Sequence, residues 1–203
     1  MARLLLAGTC AAAAMAADPG GASADHVCDR GTTHVTGRQA RLVVLDDHLW
    51  GCLRGHDRVL VAHPADFGGW RMATLAGRYA AVELTDDSQE CSSREVRVVD
   101  LRSGRDWTKS ADAAGTTTCG GADVSDLVLR SDGLVAFIAG GEVLRWSADR
   151  AKVFRLDPGP KVEPRSLSFA RGGLRWRTAG QVRQAALPGR RGRRAAHATA
   201  SQR

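Results

Sequence analysis

The chain has 203 residues, 43% of them hydrophobic and 25% charged, with a formal charge of +7. That balance excludes a disordered or collagen-like chain and is enough for one domain with a real core. The positive excess does not describe the body of the chain: residues 25–187 hold 23 Lys plus Arg against 21 Asp plus Glu. A basic nucleic-acid-binding face is therefore not implied for that body.

The chain opens with Met1-Ala2-Arg3, and Leu4 to Ala17 is apolar or small apart from Thr9. Ala14-Met15-Ala16 and Ala22-Ser23-Ala24 are both small-x-small cleavage sites. This order predicts a secretory signal peptide over 1–24. The apolar run is too short to anchor in a bilayer. Secretion or another extracytoplasmic location follows as the expectation, with no transmembrane anchor.

Next comes a phrase that recurs with variations: an apolar run, a turn rich in Gly and Asp, an aromatic-bearing strand, another polar turn, a further strand. It reads Leu42-Val43-Val44-Leu45, Asp46-Asp47, His48-Leu49-Trp50-Gly51-Cys52-Leu53, then Val59-Leu60-Val61. It returns as Met72-Ala73-Thr74-Leu75, Ala76-Gly77-Arg78, Tyr79-Ala80-Ala81-Val82. A third copy runs from Leu127 through Asp132-Gly133 and Leu134-Val135-Ala136-Phe137-Ile138 to Trp146, and a fourth from Leu167 through Leu174-Arg175-Trp176 to Leu187. Anchored on Leu45, Leu75, Leu129 and Phe169, the copies are 30, 54 and 40 residues apart. A period near 40 made of short strands predicts an all-β domain over 25–187: antiparallel short-strand repeats forming a small or incomplete β-propeller, with a β-sandwich as the alternative. Polar stretches at 85–95 and 105–123 read as insertions. Trp50, Tyr79, Phe137 and Trp176 are expected to be buried on the central strands.

After Pro188 the chain carries Arg190, Arg191, Arg193, Arg194 and Arg203 without one acid. Residues 188–203 have no apolar period and are expected to be a disordered basic tail.

Cysteine usage agrees with export. Apart from Cys10 in the leader there are four: Cys28, Cys52, Cys91 and Cys119. Neighbour pairing, Cys28–Cys52 and Cys91–Cys119, closes short loops, each stabilising by about 3 kcal/mol in the chain-entropy model. Five histidines, His26, His34, His48, His56 and His63, lie close in sequence. Imidazoles brought together would suit a transition metal, but none has metal-ligand spacing, so hydrogen-bonded or solvated histidines are expected. Glu83, Asp86, Asp87 and Glu90 form an acidic loop that matches no calcium-loop consensus. No metal or other cofactor is predicted.

The stretch from Arg41 to Leu187 resembles the incomplete, few-bladed β-propeller-like proteins exported by high-GC bacteria, akin to TolB-type and WD40-type repeats. The carrying residues are Leu75-Ala76-Gly77-Arg78-Tyr79-Ala80-Ala81-Val82, Val98-Val99-Asp100-Leu101-Arg102-Ser103-Gly104 and Asp132-Gly133-Leu134-Val135-Ala136-Phe137. A usage of 26 Arg to 3 Lys with a single Ile fits such a source. The resemblance implies a scaffold and brings no catalytic residues. No nucleophile elbow, zinc-protease motif or phosphate loop occurs. The expected function is a secreted binding or interaction module. Its expected partner is a protein or a cell-wall glycan, without specific nucleic-acid binding. The alternative is a secreted hydrolase with carboxylates at the loop face.

Overall fold

The computed structural model describes residues 25–63, 68–86, 93–111, 122–150, 152–159, 161–171 and 173–187. The expected signal peptide, the Cys91–Cys119 pair and the basic tail lie outside the described residues. Among those described, no helix is long and apolar enough to cross a membrane.

Among the described residues, one short helix, α1 (Asp25–Arg30), precedes fifteen strands. The first sheet takes β1 (Thr32–Thr36), β2 (Ala40–Leu45), β3 (His48–Leu53) and β4 (Val59–Ala62). The second takes β5 (Trp70–Ala76), β6 (Tyr79–Asp86), β7 (Ser93–Asp100) and β8 (Asp106–Ser110). The third takes β9 (Val124–Leu129), β10 (Leu134–Ala139), β11 (Glu142–Ser147) and β12 (Phe154–Asp157). The fourth has β13 (Ser168–Ala170), β14 (Gly173–Thr178) and β15 (Gln181–Ala186). Every sheet is an antiparallel meander in chain order. The all-β class and the short-strand repeats are thus borne out.

Tight turns explain why each apolar run folds back on the next. Asp46 and Asp47 both have positive φ, 52° and 60°. That is the twist a two-residue hairpin needs, and short polar side chains tolerate it. The later Gly140–Gly141 and Ala179–Gly180 turns repeat the geometry.

The sheets shift the phase of the sequence repeat. The first copy aligns a β2–β3 hairpin with the β5–β6, β9–β10 and β13–β14 hairpins, one strand too late. β1, Thr32-Thr33-His34-Val35-Thr36, is polar and largely exposed, so it gives no apolar signal. Measured from the last residue of each sheet's first strand, Thr36, Ala76, Leu129 and Ala170, the separations become 40, 53 and 41. One long interval remains, between the second and third sheets. The insertions are also smaller than expected: β7 already begins at Ser93, and β8 occupies Asp106–Ser110.

Packing runs sheet against sheet along the chain. Leu42, Leu49 and Val61 of the first sheet meet Ala80, Val82, Leu84 and Val99 of the second. The other face of β6, through Tyr79 and Ala81, meets Leu127, Phe137 and Trp146 of the third. Ala136, Ile138 and Val143 of the third then meet Leu174 and Trp176 of the fourth. Strands β6 and β10 are therefore covered on both faces, which accounts for the unbroken apolar run of β10 and for the apolar Tyr79–Val82 stretch that opens β6. Strand β14 is covered on one, and it alternates: Leu174 and Trp176 buried, Arg175 and Arg177 exposed.

Phe137, Trp176 and Tyr79 are buried at 0%, 4% and 8% exposure, as expected. Trp50 is not. It is only half-buried, because the phase shift puts it on a third strand, with Leu49 taking the inward position. Trp50 faces away from the second sheet, beneath Arg58. On that same outer face, α1 is tied down by the Cys28–Cys52 disulfide, Cα atoms 5.9 Å apart. Arg41 Nη2 donates to the Cys28 carbonyl at 2.6 Å and reinforces the clip.

At the far end, Trp176 does two jobs. It fills the third interface, and its indole Nε1 donates to the buried Asp157 carboxylate at 2.8 Å. Thr178 Oγ1 and the Gly159 N–H complete that carboxylate's partners. Trp176→Ala should cost about 3–5 kcal/mol by urea unfolding, while Trp50→Ala should cost about 1 kcal/mol. Equal costs would mean that the first and last sheets have the same number of covered faces.

Candidate functional site

The chemistry gathers at one end of the first two sheets, where four hairpin turns converge. The β1–β2 turn carries Arg38, and Gly37 N–H closes it on the Ala40 carbonyl at 2.8 Å. The β3–β4 turn carries Arg54 and His56. Arg54 N–H donates to the Gln39 carbonyl at 3.0 Å, which locks the two turns together. Gly55, at φ 72°, lets the chain reverse there. The β5–β6 turn contributes Arg78 and the β7–β8 turn contributes Arg102.

The last of these turns is the Asp-Leu-x-x-Gly phrase seen in the sequence. Asp100 accepts from Arg102 N–H at 3.0 Å through its carboxylate, and its carbonyl accepts from Gly104 N–H at 2.8 Å. Leu101 is fully buried and seats against Gly51 of the first sheet. Its N–H donates to the Arg78 carbonyl at 2.9 Å.

Together these turns form a cleft of about 350 Å³, lined by Arg38, Gln39, Leu53, Arg54, His56, Arg78 and Arg102. An adjoining hollow shares His56 and Arg102. Leu53 is buried and supplies apolar floor, while the arginines stand at the rim. Arg78 is already used: its Nη2 lies 3.1 Å from Asp100 Oδ2 and 2.9 Å from Tyr79 Oη. Among the described residues, the side chains of Arg38, Arg54 and Arg102 form no ion pair. The cleft lining therefore holds four guanidiniums and no carboxylate. Such a site is suited to bind an anion by charge and by the planar guanidinium fork.

Sequence reasoning did not single out these arginines. The signal was present: Gly37-Arg38, Arg54-Gly55 and Gly77-Arg78 set an arginine beside a turn glycine, and Arg102-Ser103-Gly104 sets one two residues from it. Only the pairing of strands shows that all four turns share one end.

The histidines separate. His26, His34 and His56 are exposed, with His34 edge-on to Trp70 at 4.9 Å. His48 and His63 do meet, with ring centroids 4.2 Å apart. Among the described residues, no group of three or more metal-ligating side chains forms. Cys28 and Cys52 are bridged. Of the acidic loop, Asp87 and Glu90 lie outside the described residues. Glu83 is not a loop residue: it sits inside β6, paired across from Val96, at 0% exposure.

Glu83 faces the junction with the third sheet. Arg71 Nη1 lies 4.0 Å from its carboxylate, and Arg71 also holds Asp123 at 3.2 Å. No well-aligned hydrogen bond reaches either Glu83 oxygen. Burial pushes its carboxyl above the usual value of 4.5, against the pull of Arg71, Arg94 and the Val124 N–H. A carboxyl raised on folding binds its proton more tightly in the folded state. Its contribution to stability is then present at acid pH and lost as pH rises through the folded value. Glu83→Gln should flatten the loss of stability as pH rises above 4.5, read from urea midpoints. A parallel pH profile in the variant would place the titration elsewhere.

No family model and no curated protein matches the chain. Among solved structures, it is similar to the extracellular domain of a putative one-component system of B. thetaiotaomicron, at 12% identity and a TM-score of 0.41. The match covers 76% of this chain and 22% of the other, so this chain spans under a quarter of that neighbour's length.

Proposed function

We propose that the chain is an extracytoplasmic binding module, an incomplete few-bladed β-propeller whose arginine cleft holds an anionic ligand. The observation that carries this reading is the cleft itself: Arg38, Arg54 and Arg102 line it without a carboxylate partner among the described residues, beside the ion-paired Arg78. An unpaired guanidinium at a rim is a weak contact alone, but three of them converging on one hollow add a directional field. The ligand class is a carboxylate- or phosphate-bearing chain, such as an acidic cell-wall glycan. Export is supported by the leader-like order of residues 1–24 and by the Cys28–Cys52 bridge, which persists in oxidising compartments. The module takes 25–187 as its domain, and residues 188–203 as a separate basic tail.

The tail is also cationic, so the test separates it from the cleft. Full-length protein and a truncation after Leu187 are titrated with oligogalacturonate and with poly(glycerol phosphate). Both proteins should bind one of these anions, with affinity falling steeply as salt rises. In the truncated protein, Arg54→Ala with Arg102→Ala should weaken binding roughly tenfold, a loss of about 1.4 kcal/mol. Binding that vanishes on truncation alone would assign the affinity to the tail, and undiminished binding by the truncated double variant would refute the cleft.

A further inference from the structure

The row of turn arginines does not stop at the second sheet. A Cβ built on Gly77 would lie 3.1 Å from Ser131 Cβ, so the β5–β6 turn that bears Arg78 touches the β9–β10 turn of the third sheet. That turn carries Arg130, and the β11–β12 turn at the same end carries Arg150. Arg130 is neutralised by Asp132, to which its Nε and Nη2 donate at 2.8 and 2.7 Å.

Beside it stands a second group of cations. Arg145 lies on β11 opposite Phe154 of β12, with its guanidinium carbon 4.9 Å from the ring centroid. Lys152 Nζ reaches the same ring at 5.4 Å. The turn between them is pinned to the core: buried Trp146 donates through Nε1 to the Arg150 carbonyl at 2.7 Å. The acid of that turn, Asp149, accepts from Ser147 Oγ at 2.5 Å. Arg145 is half-buried, while Arg150 and Lys152 are exposed. Burial first, then the charges of Arg150 and Arg130, hold the Arg145 guanidinium below its ordinary pKa. A ring that stacks a guanidinium leaves its in-plane N–H donors open to an anion. Like charges gathered this closely repel, and a bound anion would relieve that repulsion.

Among the described residues, cations without an ion pair therefore stand at both ends of the row: Arg38, Arg54 and Arg102 in the cleft, and Arg145, Arg150 and Lys152 on the third sheet. Arg78 and Arg130, between them, are ion-paired. Sheets packed face to face lie about 10 Å apart, so the two groups are separated by roughly 20 Å. A small anion reaches one group, and an extended chain of repeated anionic groups reaches both. A flat anionic surface fits less well, because Arg145 is recessed on its strand beneath the turns. We propose that Arg145, Arg150 and Lys152 form a second anion-binding subsite, and that one linear polyanion, bearing repeated carboxylates or phosphates, crosses the turns from the cleft to this subsite. The subsite stands on its own geometry, and the crossing rests on the anion-binding reading of the cleft.

Full-length protein is titrated calorimetrically at low salt with dodecamers of galacturonate and of glycerol phosphate, which separates a carboxylate from a phosphate source. The basic tail is the same in every variant. One dodecamer of the matching kind should bind per protein. Arg145→Gln with Arg150→Gln, checked by circular dichroism, should weaken that binding roughly tenfold, and so should Arg54→Ala with Arg102→Ala. Arg150→Glu alone changes only an exposed turn position and should weaken it in the same direction, whether or not half-buried Arg145 tolerates replacement. Arg175→Gln with Arg177→Gln removes equal charge from the outer face of β14 and should bind as the parent does. Parent affinity in the Arg145–Arg150 and Arg150→Glu variants, or an equal loss in the β14 variant, would overturn the subsite. Two dodecamers per protein would overturn the crossing, and no binding of either dodecamer would overturn both. A loss confined to the Arg145–Arg150 variant would keep the subsite and sink the cleft reading instead.

Discussion

Leu101 occupies the space that a side chain at position 51 would need. A Cβ built on Gly51 would lie 2.2 Å from Leu101 Cδ2, well inside contact distance. This fit sets how closely the second sheet approaches the first, and both residues are fully enclosed there. The same leucine ties its turn to the Arg78 carbonyl. The turns bearing Arg38, Arg54, Arg78 and Arg102 are brought to a common cleft by that contact. A loop-borne site is only as precise as the scaffold beneath it, and here the scaffold is one leucine in a hollow left by one glycine.

The wider constraint is that a small antiparallel sheet cannot bury a face by itself. Each meander solves this with the next one along the chain, so the apolar interfaces form a series. Interior sheets are apolar on both faces of their central strands. The fourth sheet shows arginines outward on β14 and the exposed Val182 on β15. The first sheet covers part of its outer face with α1 and the Cys28–Cys52 bridge, leaving Trp50, His48 and His63 at the surface. The two ends of the series are therefore finished differently, one with a clip and one with charge. Charge at an exposed sheet face also discourages unwanted pairing.

Much of this was legible in the sequence. The repeat, the strands of the last three sheets apart from β8, the Cys28–Cys52 bridge and the inward placement of Tyr79, Phe137 and Trp176 all follow from apolar alternation and turn residues. The alternation of Leu174-Arg175-Trp176-Arg177 even marks a sheet with one wet face, against the solid Leu134–Ala139 run of a sheet with none. What failed did so for local reasons. Polar β1 carried no signal, so the first repeat slipped by one strand and Trp50 was placed inward. Glu83 was grouped with its acidic neighbours, although β6 continues through it and buries it. The cleft could not be read because its arginines lie on turns far apart in sequence, and only strand order unites them.

The seat of Leu101 over Gly51 is tested most directly by a double-mutant cycle in urea unfolding. Gly51→Ala alone should destabilise by about 1–3 kcal/mol through overpacking. Leu101→Ala alone should cost about 2–5 kcal/mol through the cavity it leaves. If the two residues share one space, the methyl added at 51 partly fills that cavity. The double variant should then be more stable than the sum of the single losses predicts, by at least about 1 kcal/mol. Strictly additive losses would contradict the account: the first and second sheets would not be registered by this contact, and the convergence of the four arginine turns would need another cause.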